Sequence, residues 1–513
     1  MLTKTYGSAV YGVEAITITV EVNVGEGQGY FIVGLPDNAV KESLQRIETA
    51  IKSNHYYMPR TKIVINLAPA DIKKTGSAFD LPIAMGVIGS SGQLADPDKL
   101  AQYVIMGELS LDGSIQPIKG ALPIAIQARK EGFKGLIVPT QNAREAGMVN
   151  NLKVYGVSHI REVVNFMNDE SSLQPQDVDT REDFFQSQYH FDIDFSDVKG
   201  QENIKRALEI AAAGGHNAIL VGPPGAGKTM LAKRIPTILP PLSLQEALET
   251  TKIHSVAGKL PENASLVSTR PFRSPHHTVS DVALVGGGGI PQPGEISLAH
   301  NGVLFLDELP EFKRTALEVM RQPMEERRVT ISRAKISLDF PANFMLIASM
   351  NPCPCGFHNH PEKECTCPAG SVQKYLNKIS GPLLDRIDLH VEVTPVPFSS
   401  LTEKKEGEPS DAIRERVIKA RAIQQERYKE TEAVFVNAQV SSKLLREVCQ
   451  LTQPGEALLK KAMERLQLSA RAYDRILKVS RTIADLDSSP DVKIEHLAEA
   501  IQFRSLDRAS WAG

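Results

Sequence analysis

The apolar run Ala218-Ile219-Leu220-Val221 passes straight into Gly222-Pro223-Pro224-Gly225-Ala226-Gly227-Lys228-Thr229, and the helix-forming stretch Met230–Ile235 follows at once. No other feature restricts the fold as tightly. A short buried strand, a G-x-x-x-x-G-K-T loop and a helix, in that order, call for an α/β architecture built on a parallel sheet. The glycines let backbone N–H groups turn inward around phosphate oxygens, and the helix N-terminus adds positive potential there. Lys228 is placed to reach the outer phosphates of a nucleotide, and Thr229 to ligate magnesium. A glycine-rich turn without a ligand is the plain alternative; the strand before it and the helix after it weigh against that reading.

The rest of such a site is predicted downstream. Val303-Leu304-Phe305-Leu306 reads as a central strand ending in Asp307-Glu308. Asp307 would hold magnesium through water, and Glu308 would polarise an attacking water as general base. Alone, the pair reads as two surface acids after a core strand; downstream of a phosphate loop it does not. Another buried strand, Phe344–Ala348, leads to Ser349-Met350-Asn351, which sets Asn351 beside the outermost phosphate. In Gly381-Pro382-Leu383-Leu384-Asp385-Arg386 a proline-started helix carries Arg386 toward a neighbouring subunit as a transition-state finger. Arg471, in Leu468-Ser469-Ala470-Arg471-Ala472, is the expected lid arginine, with Arg475 one turn on as the alternative. A surface salt bridge is the competing role for each arginine. Val198-Lys199-Gly200-Gln201 fits a loop packed against the base.

With 513 residues, the chain exceeds what one hydrophobic core organises. Residues 1–167 form a first α/β block. It opens with a strand in which Ile16, Ile18, Val20, Val22 and Val24 face one way. A helix over Asn38–Ser53, a strand at Ile63–Leu67, a helix near Asp80–Ile88 and a helix-then-strand within Ile115–Pro139 follow. Residues 168–191 are polar and acidic and read as a linker. Residues 192–394 alternate buried strands with helices, and 395–513 carry Glu, Lys, Arg, Leu and Ala at helical spacing. A net charge of −3, from 58 basic and 61 acidic residues, gives no overall attraction to nucleic acid, so such binding requires a local basic patch. No apolar stretch approaches the roughly 20 residues that span a bilayer, and the first residues lack the apolar core of a secretory signal. A cytoplasmic protein with no membrane partner is expected.

Four of the five cysteines, Cys353, Cys355, Cys365 and Cys367, fall within the segment 353–367. Two C-x-C pairs match the ligand count of a tetrahedral zinc site, though each pair is tighter than the usual C-x2-4-C. Free thiols and an iron–sulfur cluster stay open as alternatives, and Cys449 reads as core. Residues 326–338 alternate as a β-hairpin with Ser332–Lys335 near its tip, where Arg333 and Lys335 would track DNA phosphates. An ordinary hairpin with solvated charges is the bland reading. Adjacent His276 and His277 cannot easily converge on one ion, which favours a structural or DNA-contact role in a loop.

The ordered set VKGQE, GPPGAGKT, VLFLDE, SMNPCPCG and SGPLLDRIDLHVEV resembles the magnesium-chelatase-like AAA+ family of the ComM or YifB type, over the whole chain. The resemblance implies an AAA+ ATPase core at 192–394 with a cysteine-rich insert at 353–367, a C-terminal helical lid at 395–513, ATP and Mg2+ as cofactors, and a homohexameric ring. The association of the ComM type with DNA branch migration in natural transformation implies a motor on single-stranded or branched DNA. The competing class is a chelatase-type or chaperone-like remodeller of protein; chelatase subunits are expected to lack this N-terminal block and the cysteine segment.

The first block resembles the proteolytic domain of Lon-type proteases. Lys74-Thr75-Gly76-Ser77-Ala78 aligns with the segment that bears the nucleophilic serine, and Leu122 stands where the partner lysine belongs, with Lys119 three residues early. Without an amine base, the Ser77 hydroxyl stays a weak nucleophile. The resemblance therefore implies an inactive, structural or DNA-guiding domain. The hairpin at 326–338 resembles the pre-sensor hairpin of replicative helicases, whose basic tip enters the ring's pore.

Overall fold

The structure, a computed structural model, describes residues 1–178, 180–261, 266–289, 291–333, 336–358, 360, 362–395, 407–431, 433–466 and 468–504. The chain packs as two compact units, one built chiefly from Met1–Ser187 and Leu244–Ser268, the other from Gln188–Ser243, Thr269–Arg333 and Asp339–Gly513.

In the first unit β1 (Leu2–Tyr11), β2 (Glu14–Gly25), β3 (Tyr30–Val33), β4 (Lys62–Ala68), β5 (Tyr103–Ile105), β6 (Gly135–Pro139) and β7 (Lys153–Val157) form one mixed sheet. Its order is β3-β4-β2-β1-β5-β6-β7. The alternation read in β2 buries Ile18, Val20 and Val22 fully; Ile16 and Val24, nearer the strand ends, are half-buried. Helix Asp80–Ser90 is buried at every position, which explains why only its two ends, Asp80 and Ser90, are polar. Helix Asn38–Ser53 starts where Asp37 accepts a 2.8 Å bond from the Val40 N–H.

Two segments depart from the divisions expected from sequence. Helix Leu244–Val256, which lies within 192–394, groups with the first unit. There the Gly120 N–H donates to the Ser255 carbonyl at 3.2 Å, and Lys252 pairs with Glu14 at 3.0 Å. Within the 168–191 linker a helix forms at Thr180–Ser187, where the polar sequence carries a buried Phe184.

The second unit is built on five parallel strands. They are β8 (Ala218–Val221), β9 (Phe272–Arg273), β10 (Val303–Leu306), β13 (Met345–Met350) and β14 (Leu389–Glu392); β11 (Arg328–Arg333) and β12 (Ile336–Pro341), between β10 and β13 in sequence, make a separate hairpin, of which residues 336–338 group with the first unit. The sheet runs β9-β10-β13-β8-β14. Both faces are covered, so β8 and β10 read as unbroken apolar runs rather than alternating ones, and β13 does so as far as Ala348. The C-terminal helices Ser410–Tyr428, Ala470–Leu486 and Ile494–Gln502 share this core: Val417, Ile476 and Leu497 belong to the same buried cluster as Leu220, Phe305 and Ile347. The chain is thus mixed α/β, with a parallel-sheet core and a helical C-terminal region. Among the described residues, no helix is long and apolar enough to cross a membrane.

Candidate active site

Parallel pairing assembles the site. β8 lies beside β13, and β13 beside β10, with Val221 opposite Met350 and Leu306 opposite Ala348. The C-terminal ends of the three strands therefore share one edge, the usual place for ligands in such sheets. The segments just past those ends are the phosphate loop, Asn351 and Asp307.

Gly225 and Gly227 hold φ of +79° and +84°, and a Cβ on Gly222 would lie 2.3 Å from the Val393 carbonyl oxygen, so the loop tolerates no side chain at these turns. Helix Lys228–Ile238 starts at the loop. The buried Lys228 ammonium donates to the carbonyls of Gly222 (2.6 Å) and Pro223 (2.9 Å) and to Asn351 Oδ1 (3.2 Å). Burial pulls its pKa down, against the attraction of Asp307 and Glu308. The Thr229 hydroxyl donates to Asp307 Oδ2 at 2.7 Å, and the Glu308 N–H donates to Oδ1 at 3.0 Å. Ser349, one residue past Ala348 in the register, donates its hydroxyl to the same Oδ1. Thr229 and Asp307 present hard oxygen atoms in contact, a donor set that suits a water-retaining magnesium ion.

Glu308 sits in the left-handed region at φ +55°, rarely adopted outside glycine. That turn leaves its half-exposed carboxylate 3.3 Å from His277 Nδ1. The His277 ring lies 4.0 Å from that of His276 and meets the edge of Phe312. Sequence reasoning thus missed two residues of the site. Ser349 was legible only through the β10–β13 register. His277 comes from a loop far upstream, for which only the oddity of a His-His pair was a signal.

Beside the loop lies a cleft of about 490 Å3, within the range of small-molecule sites. Val198, Lys199 and Gln201 line it, as does Met230, and Phe357 and His360 of the cysteine segment close it from another side. None of Arg386, Arg471 and Arg475 lines this cleft. Arg386 is 12% exposed, pairs with Glu325 at 2.5 Å and donates to the Pro382 carbonyl at 2.6 Å. Its buried Nε has no partner among the described residues. Arg475, bonded to the buried Asp388 at 2.9 Å, lines a separate small pocket together with Arg386 and Arg327. Arg471 is 66% exposed and pairs with Asp385 at 3.0 Å. Arg475 thus shares a pocket with Arg386, and Arg471 does not.

The four clustered cysteines converge. Cys353 Sγ lies 3.3 Å from Cys355 Sγ and 3.8 Å from Cys365 Sγ, Cys355 and Cys365 are 3.6 Å apart, and all four sulfurs fall within 4.8 Å of one another. A tetrahedron with zinc–sulfur bonds of about 2.3 Å has sulfur–sulfur edges of about 3.8 Å. The thiols fit such an ion. The Phe357 N–H holds the Cys355 thiol down to about 5, whereas burial pushes Cys353 up to about 12. Cys449 is buried in the core. Arg333 ends β11 and is described by its backbone alone, and Lys335 lies outside the described residues.

In the first unit the Ser77 hydroxyl donates to Glu108 rather than to an amine. Leu122 is buried at the start of helix Ala121–Lys130, and the Lys119 side chain lies where a Cβ on Gly258 would come within 2.9 Å of it.

Comparison with known proteins matches three family profiles. They are described as "Magnesium chelatase, subunit ChlI" over residues 194–401, "Subunit ChlI of Mg-chelatase" over 20–142, and "Magnesium chelatase, subunit ChlI C-terminal" over 407–504. The second match lies in the N-terminal block, so that block does not by itself separate the chain from chelatases. The chain is 44% identical to competence protein ComM of Haemophilus influenzae over 506 residues, 98% of this chain and 97% of that one. It is 44% identical to YifB of Escherichia coli over 508 residues, 98% and 96% of the two chains. A stretch of 157 residues is 32% identical to Lon protease 2 of Bacillus subtilis, covering 28% and 27% of the two chains.

Proposed function

We propose a function from one premise: the chain belongs to the magnesium-chelatase-like AAA+ family of the ComM and YifB type. It is an ATPase that works in the cytoplasm as a homohexameric ring and moves single-stranded or branched DNA, in recombination or natural transformation. The observation that carries the ATPase reading is the convergence of Lys228 with Asn351 and of Thr229 with Asp307 at neighbouring strand ends. The loop N–H groups and Lys228 bind the phosphates, and Asn351 orients the attacking water. Glu308 accepts that water's proton on a carboxylate oxygen that His277 steadies. Thr229 and Asp307 would hold magnesium, which would supply positive charge to neutralise the phosphates. Arg386 reaches the site of an adjacent subunit once its hold on Glu325 is exchanged, with Arg475 alongside. The clustered thiols bind one zinc ion.

Support for DNA as the track comes from the name of the Haemophilus relative, a competence protein, and from the basic Arg333 and Lys335 at the hairpin between β10 and β13. The deciding measurement is ATP hydrolysis by the full-length protein with forked or four-way DNA against unfolded protein as stimulant. DNA should raise the rate several-fold. Stimulation by protein and not by DNA would replace the motor with a chelatase-type or chaperone-like remodeller.

A further inference from the structure

The cysteine segment follows Asn351 directly, and the two features touch the nucleotide loop from one stretch of chain. Asn351 meets Lys228, and five residues on, Gly356 meets Pro224: a Cβ on Gly356, whose φ is +86°, would lie 2.6 Å from Pro224 Cδ. Phe357 and His360 then line the cleft beside the loop. No helix or strand supports this wall among the described residues between 351 and 370. What shapes it is sulfur. The His358 N–H, next to Phe357, bonds Cys353 Sγ at 3.3 Å, and the Cys355 N–H bonds Cys367 Sγ at 3.4 Å. Backbone N–H groups that donate to coordinated thiolates take their positions from the ion that gathers those sulfurs. Within the wall, the Lys363 ammonium sits 4.9 Å over the Phe357 ring and His360 meets the ring's edge at 5.6 Å, so the aromatic face is fixed as one piece.

We propose that the four-cysteine knuckle is a wall of the nucleotide cleft, and that a zinc-class ion bound by its thiolates sets nucleotide affinity by holding Phe357 and His360 against the base and ribose. The inference rests on the nucleotide reading of the cleft and adds a second ligand that controls it. Losing the ion frees the Cys353–Cys367 loop, which must then be ordered again each time nucleotide binds, at a cost in affinity. Magnesium beside Thr229 does not enter this coupling, because a hard cation competes poorly for thiolates.

The test titrates ADP by calorimetry into the full-length protein carrying zinc, stripped of zinc by a chelator, and reloaded. Affinity should fall about tenfold on stripping, equivalent to about 1.4 kcal/mol, and return on reloading. Phe357→Ala should keep one zinc per chain and still weaken ADP about tenfold. Lys228→Ala reports on the cleft independently: it should abolish ADP binding with zinc in place. If it does so while stripped protein and Phe357→Ala bind ADP as tightly as the zinc-loaded wild type, the nucleotide reading stands and the coupling is overturned. A chain that holds no zinc also overturns it. Should stripping unfold the protein, as judged by circular dichroism, the Phe357→Ala affinity decides.

Discussion

At the scale of single residues, the site separates binding from turnover. Lys228→Ala removes the one ammonium that the loop carbonyls and Asn351 hold in place, and nucleotide binding should be lost. Glu308→Gln keeps the shape but not the base: nucleotide should still bind while phosphate release falls by about 100-fold or more. An undiminished rate in the glutamine variant removes Glu308 as the base. Ser349→Ala deletes one of the donors that orient Asp307, so the magnesium concentration for half-maximal hydrolysis should rise several-fold with kcat little changed. In the first unit, Asp80 carries a different kind of consequence. It is fully buried, bonds Arg46 at 2.8 and 3.1 Å, and burial raises it to about 6. An unfolded aspartate titrates near 3.9. The stabilisation from taking up this proton is therefore complete below about pH 4 and disappears as pH rises through about 6, on the order of 2–3 kcal/mol. Amide exchange in helix Asp80–Ser90, corrected for intrinsic rates, should slow toward pH 4. Asp80→Asn should flatten that dependence, and a slope that survives in the variant assigns it to other groups.

At the scale of elements, the strands of the parallel sheet were legible because a strand buried on both faces needs an unbroken apolar run, and Ala218–Val221 and Val303–Leu306 are such runs. The helix within 168–191 was not legible: two phenylalanines in a polar stretch give no periodicity, and burial of Phe184 is a property of its neighbours. Nor did sequence show that Leu244–Val256 leaves its block, since helical spacing identifies a face without saying what will cover it. The hairpin of β11 and β12 carries the prediction that separates a DNA motor from a protein remodeller. A basic side chain that neutralises a DNA phosphate releases about one counterion, so deleting it should lower the salt slope by about one. Replacing Arg333 and Lys335 with alanine should lower DNA affinity, flatten its salt slope and abolish DNA stimulation, leaving basal hydrolysis intact. Full stimulation in the double variant would transfer DNA contact to the N-terminal unit.

At the scale of the whole molecule, the finger prediction needs a ring. Arg386→Ala should silence the site of the adjacent subunit while leaving its own competent, so mixing it with Lys228→Ala subunits should restore part of the activity. Mixed rings that stay inactive at every ratio would count against action in trans. The family, the order of the nucleotide motifs and the four thiols were all present in the sequence, because phosphate loops and soft-metal ligands demand particular residue types at short spacing, and short spacing survives without a fold. Tertiary structure alone decided the rest. Ser349 reaches Asp307 through strand register, and His277 reaches Glu308 from a loop thirty-one positions earlier. Arg475 rather than Arg471 shares a pocket with Arg386, because Arg471, one turn nearer the helix start, stays exposed against Asp385 while Arg475 reaches the buried Asp388. The cysteine segment reaches the cleft beside the phosphate loop, where Gly356 packs on Pro224 and Phe357 and His360 line one side. Each of these depends on which surfaces meet across long loops, and a linear pattern of residues carries no record of that.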